Sequence, residues 1–284
     1  MEGDCIMKRN HAKINPTQKQ LPAISVAQQK YVKKIHKYHS LILCVQILLL
    51  FAITLFWEIA ARIGWIDSFI FSSPTRIAKC FIKMVSDGSI FKHISITMGE
   101  TFISFALIVI LGIGVALILW LYTPLSHVLE PYLVVLNSLP KSALAPMLIV
   151  WLGNSPKAII VTAISVALFG TILNIYTSFM ETDPELLKLM NTFGATKRQT
   201  LFKLILPSSL NTIISNMKVN IGLCLVGVII GEFLAARQGL GYLIIYNSQI
   251  FCMDVIAMAI IILCIISIIL FKIVDIINKL IRIE

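Results

Sequence analysis

The sequence predicts an all-α polytopic membrane protein with six transmembrane helices. Of its 284 residues, 58% are hydrophobic and only 13% charged, too little polar surface to cover a soluble globule of this size. The apolar residues also gather into runs that approach or exceed the roughly 20 needed to cross a hydrocarbon core. Between those runs the Lys and Arg residues are unevenly sorted, as membrane topology requires.

Residues 1–40 hold eight Lys/Arg against Glu2 and Asp4, with Pro16 and Pro22. They predict a basic, mostly flexible tail with at most a short surface helix around 30–38, and they lack the layout of a signal peptide. The first transmembrane helix occupies 41–61, its charge-free part being 41–57. A loop over 62–92 follows, in which Pro74 opens an amphipathic helix with Ile77, Phe81, Ile82 and Val85, too short and too charged to span.

Residues 93–284 form a five-helix core. Spans are expected at 94–122, 128–152, 158–180, 204–233 and 255–274, the second of these interrupted by Pro140, Lys141 and Pro146. Gly222, Gly227 and Gly231 give the 204–233 helix a small-residue face, and Gly227 with Gly231 has the GxxxG spacing that lets a neighbouring helix approach closely. Six spans put both termini on one side. The tail, the 180–203 loop and the C-terminal end carry 15 Lys/Arg against seven in the opposite loops, so both termini and the 181–207 loop are expected in the cytoplasm and the 62–92 loop outside.

That loop contains ELLKLMNTFGATKRQTLFKLILP, residues 185–207. Asp183 can cap a helix, Pro184 suits its first position and Glu185 its positive end. Leu186, Leu187, Met190 and Phe193 then form one apolar face, Gly194 ends the helix, and a basic segment leads to Pro207. Two readings follow from the residues alone: a helix lying in the headgroup layer, or a helix filling a groove on a cytoplasmic protein.

Other polar residues within the spans are candidates with ordinary alternatives. Glu232 suits a gate, a structural pair or an interfacial helix end; Lys141 suits a pathway turn or a snorkelling base. Asn137, Ser138 and Asn174 suit a pathway or interhelical hydrogen bonds. Lys218 reads as a base near the cytoplasmic face, and Glu100 and Asp254 as residues near outer span ends. Six scattered cysteines and five histidines show no CxxC, HExxH or metal-ligand spacing. With the bases beside apolar runs, nucleic acid is not an expected partner, whereas membrane lipid is.

The 181–207 loop resembles the cytoplasmic signature loop of binding-protein-dependent ABC importer permeases, EAA, three residues, G, nine residues, I-x-L-P. Gly194 is followed by nine residues and then Leu204-Ile205-Leu206-Pro207, while Lys188-Leu189-Met190 stand where the pattern has EAA. WEIAARIGW (57–65), SSPTRIAK (72–79), LNSLPKSALAPMLIVWLG (136–153), DPELLKLMNTFGATKRQTLFKLILPSSL (183–210) and VGVIIGEFLAARQGLGYLI (226–244) are similar to the branch handling nitrate, taurine, aliphatic sulfonates and thiamine-precursor pyrimidines.

The resemblance implies the type I ABC importer permease fold, in a homodimer served by two cytoplasmic ATPase subunits and an extracytoplasmic binding protein. It makes 181–207 a coupling loop whose docking residues are Glu185, Leu186, Leu187, Met190, Phe193, Gly194, Ala195, Thr196 and Pro207. Asn137, Lys141, Asn174 and Glu232 become pathway or gating candidates. With no GxxxxGK[ST] in the chain, no phosphate-cradling loop is available; no cofactor is expected here, and ATP and magnesium would be bound by the partner ATPase. The competing expectation is a secondary transporter or channel whose amphipathic loop lies on lipid.

Overall fold

The computed structural model describes residues 26–281; Cys5, His11, Arg282 and the greater part of the expected basic tail lie outside the described residues. The chain divides at Phe56/Trp57 into two compact units. The first unit contributes most of α1 (Val26–Ile63), whose stretch Ser40–Ile63 is long and apolar enough to cross a membrane. The sequence suggested a short, separate surface helix around 30–38. Instead α1 runs unbroken from Val26 to Ile63, because no Gly or Pro interrupts those residues.

The second unit begins with two short elements. In α2 (Ser68–Phe71) Asp67 caps the Phe69 N–H at 2.9 Å. In α3 (Pro74–Ser86) Ser73 is the N-cap and Pro74 the first residue, a fixed φ where a missing N–H is harmless. The buried side of α3 is Ile77 with Cys80, Met84 and Val85 packed on the core. Phe81 and Ile82, expected on that face, are exposed.

Four helices of this unit are long and apolar enough to span: α4 (Ser89–Leu121), α7 (Pro156–Met180), α11 (Leu210–Ala235) and α13 (Met253–Ile281, apolar to Ile276). The expected 128–152 span is instead a bent pair, α5 (Thr123–Ser138) and α6 (Lys141–Leu152), meeting at 98°. Pro140 explains the break. It pushes Leu139 out of the helical region, to φ −64°, ψ 142°, and it cannot donate to the helix before it. Counting the bent pair as one span gives six.

The remaining elements are α8 (Pro184–Thr192), α9 (Lys197–Thr200), a π-helical turn (Leu201–Ile205), α10 (Leu206–Ser208) and α12 (Leu240–Gln249). The fifth span, expected from residue 204, starts at Leu210. The π turn and Pro207 displace the helix register first, as π turns and proline commonly do.

Helix α7 is the hub, packed against α4 and α11. The GxxxG pair makes this possible: a Cβ on Gly227 would lie 2.7 Å from the Ala163 Cα, and one on Gly231 3.0 Å from the Ile159 Cα. Gly222, on the same predicted face, meets nothing within 4 Å. Two apolar clusters mark the ends of this three-helix packing. Ala116, Leu119, Ile175, Phe179 and Ile213 gather at one, and Ile108, Ile159, Val228 and Ala235 toward the other. The segment joining α7 to α11 belongs to the first end.

Candidate functional site

At the first end, α8 is built by local signals. Asp183 Oδ1 accepts the Glu185 N–H at 2.8 Å, and Pro184 occupies the first helical position. The helix stops because Gly194 takes φ +68°, a left-handed conformation that glycine adopts without a Cβ clash. The Ala195 N–H then reaches the Met190 carbonyl at 3.0 Å and the Gly194 N–H the Asn191 carbonyl at 3.0 Å, the Schellman pattern that satisfies free carbonyls.

Thr196 starts the return. Its hydroxyl accepts the Gln199 N–H at 3.3 Å while Gln199 Oε1 accepts the Thr196 N–H at 2.8 Å, a reciprocal capping box. Leu201 and Ile205 of the π turn are fully buried in the cluster beneath. Two short helices hinged at Gly194 are thereby tied to the membrane helices at both ends.

The face that α8 turns away from the core differs from the expected one. Leu187 packs against the buried cluster of α4, α7 and α11, and Met190 is half-buried. The exposed apolar residues are Leu186, Leu189 and Phe193, at 41%, 49% and 76%. These recur at i, i+3 and i+7, a single helix face. Sequence reasoning missed Leu189 because the alternative face, 186/187/190/193, has equal apolar periodicity; only the packing of Leu187 chooses between them. Ala195 and Thr196 border the hinge, Glu185 lies in the first turn of α8 at its far end, and Pro207 lies in α10, behind the π turn.

Of the four pathway candidates, two meet at the α5–α6 break. Lys141 Nζ donates to Asn137 Oδ1 at 3.2 Å, and Asn137 Oδ1 is also the atom nearest to where a Gly170 Cβ would stand, at 3.1 Å. Asn174 is exposed, and its Nδ2 donates to Asn216 Oδ1 at 3.1 Å across to α11. Asn216 was not anticipated; it lies 42 positions away, with no spacing signal linking the two.

Glu232 belongs to the opposite end, fully buried. It accepts the Thr97 hydroxyl at 2.7 Å and the Gly241 N–H at 2.6 Å. The Thr97 hydroxyl in turn accepts the Leu240 N–H at 2.9 Å, and His93 Nδ1 is paired with the Gly239 backbone. The α11–α12 connection is thus fastened to α4 through Glu232. Glu100, expected near an outer span end, is only 7% exposed and within reach of Glu232. A cavity of about 270 Å³ opens beside it, lined by Asn154, Ser155, Arg237 and Gln238 among others.

Lys218 and Asp254 have partners that the sequence did not indicate. Lys218 does not stand alone: it bonds Asp275 of α13, which also meets Lys279 at 3.2 Å, and it lies over the Phe271 ring. Asp254 takes part in a cross-link of its own, accepting from Ser72 at 2.6 Å and from Arg76 at 2.9 Å. Among the described residues no group of three His, Cys, Asp or Glu is placed to hold a metal ion.

Comparison with known proteins gives concordant findings. Residues 108–283 match the family described as binding-protein-dependent transport system inner membrane component. The chain is 32% identical to the formylaminopyrimidine transport permease protein ThiX of Halalkalibacterium halodurans over 187 residues, covering 66% of this chain and 74% of that one. It is 25% identical to the putative aliphatic sulfonates transport permease protein SsuC of Escherichia coli, covering 72% and 78%. Among solved structures it is similar to an inward-facing MetNI methionine ABC transporter, with TM-score 0.60, 18% identity and coverage of 68% and 96%. It is likewise similar to a bacterial alginate ABC transporter, with TM-score 0.62, 14% identity and coverage of 89% and 98%.

Proposed function

Because the chain belongs to the family of binding-protein-dependent transport system inner membrane components, it is a multi-pass membrane permease of the ABC importer class, and we propose that it forms the pathway for a small solute delivered by an extracytoplasmic binding protein. The solute classes carried by its relatives, formylaminopyrimidine and aliphatic sulfonates by their names, are the first to test. Taurine and nitrate complete the set implied by the sequence resemblance.

The observation that carries the reading is α8 with its hinge. An exposed face of Leu186, Leu189 and Phe193, capped at both ends and anchored by Leu187 to the spanning helices, suits docking into a cleft of a cytoplasmic ATPase. Glu185, Gly194, Ala195 and Thr196 hold its shape, and Pro207 belongs to the return into the membrane. Rigid anchoring matters, because ATP-driven closure of two ATPases can move the spans only if the seated helix moves with them. The binding protein, by favouring the outward-facing state, shifts the same equilibrium from the other side.

Two copies of the chain would enclose the pathway, with both termini and the 181–207 loop in the cytoplasm, as the Lys/Arg sorting supports. ATP and magnesium would be bound by the ATPase partner. Asn137, Lys141 and Asn174 would face the pathway, and Glu232 would fasten its outer gate. The secondary transporter or channel reading is not favoured by the family match. The test is reconstitution of the chain in liposomes with its cognate ATPase and binding protein. ATP-dependent accumulation supports the proposal; uptake that persists without ATPase and follows an ion gradient refutes it.

A further inference from the structure

The polar groups at the α5–α6 break and along α7 have their acceptors and donors unevenly used. Asn137 Oδ1 is taken by Lys141, and Asn216 Oδ1 by Asn174. Asn216 Nδ2 is buried with no partner. A lysine ammonium carries three N–H donors and no acceptor, and a carboxamide carries two N–H donors. After the two internal bonds, Lys141 keeps two N–H groups, Asn137 two, Asn174 one and Asn216 two, seven donors against four remaining carboxamide lone pairs, two on Asn174 Oδ1 and one each on Asn137 Oδ1 and Asn216 Oδ1.

These residues are also neighbours. Asn137 lies against Gly170 of α7, and Asn174 is four residues further along that helix, on the same face. Lys141 forms no ion pair among the described residues, and Ser138 and Ser142 beside it are exposed. An uncompensated cation among spanning helices is costly in lipid and is retained where it faces water, a ligand or a partner.

We propose that Lys141, Asn137, Asn174 and Asn216 form a donor strip that recognises an oxyanion group, a sulfonate or carboxylate, of the transported solute. The proposal rests on the pathway reading above and names the residues that select within it. The carboxamides are held in place by the bonds they make to each other and to Lys141, so the remaining N–H groups of Asn137 and Asn174 need little further ordering to bind, while the Asn216 Nδ2 group is buried and unpartnered. An anion supplies acceptors for the excess N–H groups, whereas an ammonium group would meet the like charge of Lys141 and could use only the few remaining carboxamide oxygens.

The full-length chain in nanodiscs provides the test, by calorimetric titration with sodium ethanesulfonate, sodium propionate and ethylammonium chloride at matched ionic strength. The expected result is saturable binding of the two anions and none of ethylammonium. Lys141→Met and the double variant Asn174→Leu/Asn216→Leu should each weaken the anion about tenfold or more, while Lys141→Arg retains it. Unchanged binding in both weakened variants, equal binding of ethylammonium, or no saturable anion binding by the unaltered chain overturns the proposal. Co-purification of the ATPase with the same variants separates the two readings: loss of ATPase association from the unaltered chain refutes the permease assembly without touching the strip, and lost anion binding with intact association locates the fault in the strip alone.

Discussion

Gly241 presents its backbone N–H to the Glu232 carboxylate at 2.6 Å, and a Cβ at Gly241 would lie 2.7 Å from the Oε2 atom of that same carboxylate. The contact therefore requires glycine on one side and a carboxylate on the other. Through Thr97 it also binds α4 to the connection between α11 and α12. Gly241→Ala should lower stability by about 1–3 kcal/mol, the usual cost of overpacking. Thermal unfolding in detergent measures this, and a melting temperature within error of the unaltered chain would contradict the fastening role.

The α7–α11 packing gives a sharper contrast. Gly227→Ala pushes a methyl onto the Ala163 backbone, whereas Gly222→Ala adds one where nothing stands within 4 Å. The first should destabilise by about 1–3 kcal/mol, and the second should be neutral or stabilising, since alanine is the better helix former. Equal melting temperatures would show that the close approach is absent.

On α8, Leu187 and Phe193 should separate packing from docking. Leu187→Ala removes a side chain from the buried cluster and should reduce stability, by less than the 2–5 kcal/mol of a fully buried leucine because Leu187 is partly exposed. Phe193→Ala alters a side chain 76% exposed and should leave stability within about 0.5 kcal/mol while weakening ATPase association. Melting and co-purification measured on both variants check this; a Phe193→Ala chain that melts early but keeps its ATPase reverses the assignment.

Cys80, on α3, is held above the ordinary thiol value by burial, with Cys252 and Asp254 acting the same way. A raised folded pKa favours the neutral thiol, so its stabilising contribution is complete below the unfolded value and is lost as pH rises past it. Alkylation of Cys80 by iodoacetamide between pH 8 and 9.5 should be slower in the folded chain than in the detergent-denatured one, as thiolate is the reactive form. Coincident pH profiles would remove the effect of burial.

Much of this architecture was legible because it is local. The spans follow from apolar run length, the α5–α6 break from Pro140, and the α8 hinge from Asp183, Pro184 and Gly194, signals within a few residues of what they determine. The close approach of α7 was visible as GxxxG, although the sequence did not say which helix would come near. What escaped reading joins distant positions. Lys218 with Asp275 is separated by 57 residues, and Glu232 with Thr97 by 135; neither pairing has a period or motif. The exposed face of α8 differs from the expected one for a related reason, since two overlapping apolar faces on α8 differ only in which one meets the bundle.

The central claim is that the outer face of α8 seats a cytoplasmic ATPase. The most direct measurement replaces Phe193 with p-benzoyl-phenylalanine in the assembled transporter and identifies the photo-cross-linked partner. The account predicts a cross-link from residue 193 to the ATPase subunit and none from the same probe at Leu187. ATPase that co-purifies with the chain yet cross-links from neither position, or only from 187, would contradict it.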